Sequence, residues 1–230
     1  PPSDAAVQGM GVVAAVAVLQ AHVAAARVVE AACCRVAVLC REESNRQTAA
    51  EAGAFEAVVV AVWAHPQVAS VQRHSCRALS NGCIVSNAAG QARKQRAVAA
   101  GALEAVVAAM QAHWQDVGML ERGCAVLNNM VCHPFGSDAT VQARKQRAGA
   151  AGALEAVVAA MQAHRQVVGI QHMGCKALNS TCHGTDAAAL ARRQRAMVAG
   201  GREAAAAAMQ AHPGVADVQQ FGQKVINLLG

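Results

Sequence analysis

The residues of this chain most capable of chemistry are nine cysteines and nine histidines. Thiolate and imidazole together suggest a metal centre, and Cys132-His133 and Cys182-His183 put the two types side by side. Their spacing points elsewhere. Cys34 with Cys40, Cys76 with Cys83, Cys124 with Cys132 and Cys175 with Cys182 recur at near-helical intervals, as small core side chains do, and no C-x-x-C pair occurs. Buried thiols are expected, with neither a metal nor a cofactor. An odd cysteine count in no short framework indicates a reducing, intracellular compartment, the cytoplasm first. Nucleophilic catalysis finds no support: G-x-S-x-G, H-E-x-x-H and G-x-x-x-x-G-K are all absent. His74 and Ser75 are sequence neighbours on a helical pattern, where adjacent side chains do not face each other. The chain reads as a non-enzyme.

Charge is the other chemical resource. Lys and Arg number 20 against 14 Asp and Glu, a net charge of +6. Most of the excess lies in three clusters: Arg93, Lys94 and Arg96; Arg144, Lys145 and Arg147; Arg192, Arg193 and Arg195. Such clusters attract nucleic acid or anionic surfaces, and they equally serve as the solvated side of a helix rich in small residues. No aromatic residue interleaves with them as a platform for stacking bases.

The elements that position these residues follow from repetition. ARKQRAVAAGALEAVVAAMQAH (Ala92 to His113) returns as ARKQRAGAAGALEAVVAAMQAH (Ala143 to His164), differing only at Val98 against Gly149. Ala-His pairs end at His22, His65, His113, His164 and His212, which places five copies at about 1–40, 41–88, 89–139, 140–185 and 186–230. With 54% hydrophobic residues, many of them Ala and Val, and only five prolines, the copies read as helices. A short basic helix precedes Gly101; a second spans Ala102 to His113; a third runs from about Asp116 to Val131. The same three recur at 142–182 and 187–229 and more loosely at 43–83, while the opening copy shows no recognisable first helix. Gly53, Gly101, Gly152 and Gly200 break the chain after the first helices, where a left-handed residue is needed. Glu56, Glu104, Glu155 and Glu203 open the second helices, each with a His at the opposite end, as the helix dipole favours.

GALEAVVAAMQAH followed by GCAVLNN (Gly123 to Asn129), GCKALNS (Gly174 to Ser180) and SCRALSN (Ser75 to Asn81) resembles the armadillo-repeat family in its catenin-like and vacuolar form, over almost the whole chain. The resemblance implies an all-α, right-handed α-solenoid of about five three-helix repeats forming one domain over 1–230, with HEAT repeats as the near alternative. It also implies that third helices line a groove and that an Asn near the end of each binds an extended peptide. Asn81 and Asn129 match that position, Ser180 replaces it in the fourth copy, and Leu39 and Leu228 replace it at the ends. The aromatic residue that nuclear-import adaptors carry four residues earlier is absent, which argues against a basic localisation peptide. In its place stand Arg35, Arg77, Ala125, Lys176 and Lys224, with Arg73 one turn before Arg77. Together with Asn81, Asn129 and Ser180 these cations form the expected groove site, and an extended acidic protein segment is the expected partner.

Two other readings stay open: a nucleic-acid or anionic-surface binder using the first-helix clusters, and a structural subunit of a large complex. The apolar run Gly9 to Leu19 is too short to cross a bilayer. The chain starts at Pro1 without Met and stops at Gly230 after a helical pattern, the look of a piece of a longer protein with covered ends. The loop Val131 to Gln142 is longer than its counterparts, and Phe135 in it is a candidate contact residue.

Overall fold

A computed structural model describes residues 1–84, 87–132 and 139–230. The expected Phe135 contact and His133 lie outside these residues. Fifteen helices and no strand occur among the described residues, and none of the helices is long and apolar enough to cross a membrane. The helices gather into two compact units, Pro1–His113 and Trp114–Gly230. The division falls inside the third sequence copy, between its second and third helices.

The N-terminal unit contains α1 (Asp4–Gln8), α2 (Val12–Ala21), α3 (Ala26–Leu39), α4 (Glu43–Glu51), α5 (Ala54–Ala64), α6 (Ala69–Gly82), α7 (Ala88–Ala99) and α8 (Ala102–Ala112). The C-terminal unit contains α9 (Val117–Val131), α10 (Ala139–Ala150), α11 (Ala153–Ala163), α12 (Val168–Cys182), α13 (Ala187–Val198), α14 (Gly201–Ala211) and α15 (Ala216–Leu229). The helix α1 corrects one expectation, since the opening copy does have a first helix of a single turn. Ser3 accepts a hydrogen bond from the Ala6 N–H and Asp4 sits in the first turn, local chemistry that a search for a longer basic helix passes over.

The glycine breaks are as expected. Gly53, Gly101, Gly152 and Gly200 have φ between 86° and 92°, a left-handed conformation that L side chains rarely adopt. Each lets the chain turn from a first helix into a second within two residues. The second helices then bury one apolar face, Val58 and Val62 in α5, Val106 and Met110 in α8, Val157 and Met161 in α11.

Third helices pack side by side. In the N-terminal unit α3 lies against α6; in the C-terminal unit α12 lies between α9 and α15. Two glycines set the closeness of second and third helices in the C-terminal unit. A Cβ on Gly174 would come within 2.6 Å of Met161, and one on Gly222 within 2.6 Å of Met209. No larger residue fits either place without displacing a methionine side chain.

The cysteines line this core. Cys33, Cys76, Cys124, Cys175 and Cys182 are buried, and desolvation pushes each thiol up to about 12. Thiols so protonated are poor nucleophiles. Among the described residues no group of three or more His, Cys, Asp and Glu is placed to hold a metal ion.

Candidate functional site

The expected groove residues divide between the two units. In the C-terminal unit, Lys176 on α12 and Lys224 on α15 converge on one ring: their ammonium nitrogens lie 5.3 Å and 4.8 Å from the centroid of Phe221. Each contact contributes about 0.5–1 kcal/mol at a partly exposed site. Among the described residues neither ammonium is paired with a carboxylate. His172 completes the cluster, its ring 5.9 Å from that of Phe221 and its Nε2 3.7 Å from a carboxylate oxygen of Asp217. Burial, then Lys176, lowers the His172 pKa below the ordinary 6.5, against the opposing pull of Asp217 and Glu121. The imidazole is therefore neutral at pH 7, and the positive charge here is that of the two lysines.

Arg35 does not join a row with Arg77. Its Nε donates to the Met10 carbonyl at 2.7 Å, turning the guanidinium toward the start of the chain. The reason is register. Arg77, Ala125, Lys176 and Lys224 each follow the His of their own copy by twelve residues, and twelve residues after His22 stands Cys34. The turns agree, Ala25 N–H bonding to His22 O as Val68 N–H bonds to His65 O. In the N-terminal unit Arg77 is half-buried and Arg73 exposed.

The amide and hydroxyl positions are also differently employed. Asn81 Nδ2 donates to Ala37 O at 2.7 Å, tying α6 to α3. Asn129 is half-buried, its Oδ1 accepting from Asn128 Nδ2 at 3.4 Å, and Ser180 Oγ donates to Asn128 Oδ1 at 2.8 Å. Sequence reading missed two other asparagines, Asn179 and Asn227, one residue earlier on α12 and α15. With His183, Lys224 and Leu228 they line a cleft of about 440 Å³.

The nine cations of the basic clusters are mostly not a solvated face. Arg93, Lys94, Arg144, Lys145 and Arg192 are at most 5% exposed. Arg93 donates to Gly82 O and Ile84 O, Arg144 to Met130 O, and Arg192 to Thr181 O, so each guanidinium covers the last carbonyls of the preceding third helix. Arg46, which sequence reading did not single out, does the same at Cys40 O and Arg41 O. A cation at the negative end of a helix dipole, bonded to carbonyls that lack helical partners, stabilises by up to about 2 kcal/mol when buried. Arg193 bonds Cys182 O and Gly184 O, and Lys145 Nζ bonds His183 O at 3.0 Å. Two of the exposed cations are paired: Arg96 with Glu56 at 2.7 Å, and Arg195 with Glu155. Arg147 is half-buried. The common signal in the sequence was position, since Arg46 precedes its left-handed glycine by seven residues and Arg93, Arg144 and Arg192 precede theirs by eight.

The histidines do more than end a helix. His65 Nε2 bonds Val23 O at 2.6 Å, His113 bonds Pro66 O at 2.7 Å, His164 bonds Trp114 O at 2.8 Å and His212 bonds Arg165 O at 2.9 Å. Each acceptor is the carbonyl just after the previous copy's His. Seven residues on, Gln72, Gln171 and Gln219 each bond the His carbonyl of their own copy and one further carbonyl of the second helix. These side chains hold the frame and leave the third-helix face to Lys176, Lys224 and their neighbours. No family model, curated protein or solved structure matches the chain, so the site rests on this geometry.

Proposed function

We propose that the chain is a non-catalytic binding protein built of armadillo-like three-helix repeats, and that α9, α12 and α15 present the face that holds an extended acidic segment of a partner protein. The observation that carries this reading is the Lys176–Phe221–Lys224 cluster, two ammonium groups on adjacent helices braced by one ring, with no carboxylate partner among the described residues. An ammonium ordered by cation–π contact loses less side-chain entropy when it meets a ligand carboxylate. Neighbouring helices stand roughly 8–10 Å apart and an extended chain advances ~3.3 Å per residue, so an acidic side chain about every third residue meets a fresh helix. The first-helix cations favour a nucleic-acid reading less, because five of them are turned inward, four with donors on backbone carbonyls.

The test is titration of the chain with a fluorescent peptide of about twelve residues carrying Asp or Glu at every third position. Binding should weaken with salt and fall at least tenfold in Lys176→Glu/Lys224→Glu. Equal binding of a peptide with Lys in place of the acids, or indifference to the double substitution, would remove the reading.

A further inference from the structure

The cleft beside this cluster has a composition of its own. Its lining is Asn179 from α12, His183 just after the end of that helix, and Lys224, Asn227 and Leu228 from α15. Among the described residues no carboxylate lines it. The side-chain amide of Asn179 has no hydrogen-bond partner among the described residues, whereas that of its counterpart on α9, Asn128, accepts from Ser180. Asn227 uses its oxygen to accept from Gln223 Nε2 at 2.8 Å, which leaves its N–H groups for the cleft. Lys224 is held at the rim by the Phe221 ring. Two amide donors, an ammonium and an imidazole therefore surround one space.

A helix C-terminus ordinarily repels an anion, because its last carbonyls carry the negative end of the dipole. At α12 that repulsion is offset. Arg192 covers Thr181 O, Arg193 covers Cys182 O and Gly184 O, and Lys145 covers His183 O. At the end of α15 the Arg202 guanidinium packs beside Gly230. The cleft is thus lined by several hydrogen-bond donors, with its nearest helix end masked by three cations.

We infer that this cleft takes the phosphoryl group of a phosphorylated serine or threonine within the acidic segment. A phosphomonoester at neutral pH is nearly a dianion with three strong acceptor oxygens, which matches several convergent donors better than a single carboxylate does. The Lys224 ammonium supplies charge, Asn179 and Asn227 supply directed N–H groups, and Leu228 gives the neighbouring side chain an apolar wall. This inference rests on the docking face proposed above and names one feature of what docks there.

The experiment compares three versions of the acidic peptide, with serine, aspartate or phosphoserine at its centre, titrated into the whole chain. The phosphoserine peptide should bind about tenfold tighter than the serine peptide and tighter than the aspartate peptide. That advantage should vanish in Asn179→Asp/Asn227→Asp, which preserves side-chain shape, and in Asn179→Ala/Asn227→Ala, with helix content by circular dichroism confirming that both fold. A phosphoserine peptide no better than the aspartate one, or a preference that survives both double variants, overturns the inference while leaving the docking reading intact. Binding of none of the three peptides overturns both. Inorganic phosphate displacing the phosphopeptide at matching concentration would show a site for the free anion and likewise overturn the assignment to a phosphorylated segment.

Discussion

The third-helix faces of the two units begin from the same sequence plan and reach different chemistry. In the N-terminal unit three of the polar groups are spent within the structure, Arg35 on Met10 O, Asn81 on Ala37 O and Ser75 on Cys33 Sγ at 3.5 Å, while Arg73 is exposed and Arg77 half-buried. The cleft there, about 290 Å³, mixes Asp4 and Glu30 with Arg27 and His74 beside Cys34, so no single sign of charge prevails. In the C-terminal unit Lys176 and Lys224 share a ring, and among the described residues the Asn179 side-chain amide has no partner and no carboxylate enters the cleft. A residue's type at a recurring position therefore says little until its partner is known. Hydrogen-bond commitment, more than identity, separates a structural cation from one available to a ligand.

The contrast can be broken most directly by stability measurements. Arg93→Met removes a buried guanidinium and orphans carbonyls at the end of α6, and should cost about 2–4 kcal/mol in denaturant unfolding. Lys224→Met, at an exposed position, should cost no more than about 1 kcal/mol, the worth of its contact with Phe221. A comparable loss in both would erase the distinction between the two kinds of cation.

A finer comparison uses the asparagines. Asn81→Ala should cost roughly 1 kcal/mol, since it breaks the bond from α6 to α3, whereas Asn179→Ala should leave the midpoint nearly unmoved. If Asn179→Ala proves the more destabilising, its amide has a structural duty and the cleft argument fails with it.

The smallest effect is shared by both units and concerns acid. Burial is the leading cause that lowers the pKa values of His74 and His172 below 6.5, so the unfolded chain takes up protons first as pH falls. Stability from these groups is complete above about pH 6.5 and declines below it. The double variant His74→Gln/His172→Gln should show a shallower loss between pH 6.5 and 5 in thermal melts; an unchanged slope would show that the two rings do not govern it.

Much of the helical frame was legible because its punctuation is local. The left-handed glycines, the Glu at second-helix starts and the Ala-His endings act within one turn of chain, and the structure puts helix ends within a few residues of where they predict. What was not legible depends on contacts between elements. Arg93 and Arg144 sit on polar helices that look solvated in one dimension; only the arrival of a neighbouring helix end turns them inward. Phe221 lies one turn before Lys224, which the sequence displays, but the approach of Lys176 from the adjacent helix is a tertiary fact. Arg35 stands four residues before Leu39, although counting twelve positions from His22 selects Cys34 instead.

The histidine rungs carry a consequence for how such a chain could grow. Each of the three middle copies holds a donor at the close of its second helix and, on the very next residue, an acceptor of the same design. A duplicated segment therefore inherits plug and socket together, and can be inserted beside any sibling without a compensating change elsewhere. The near-identical stretches at 92–113 and 143–164 are what such interchangeable joints would permit, with length adjusted by whole modules while the joint itself stays constant.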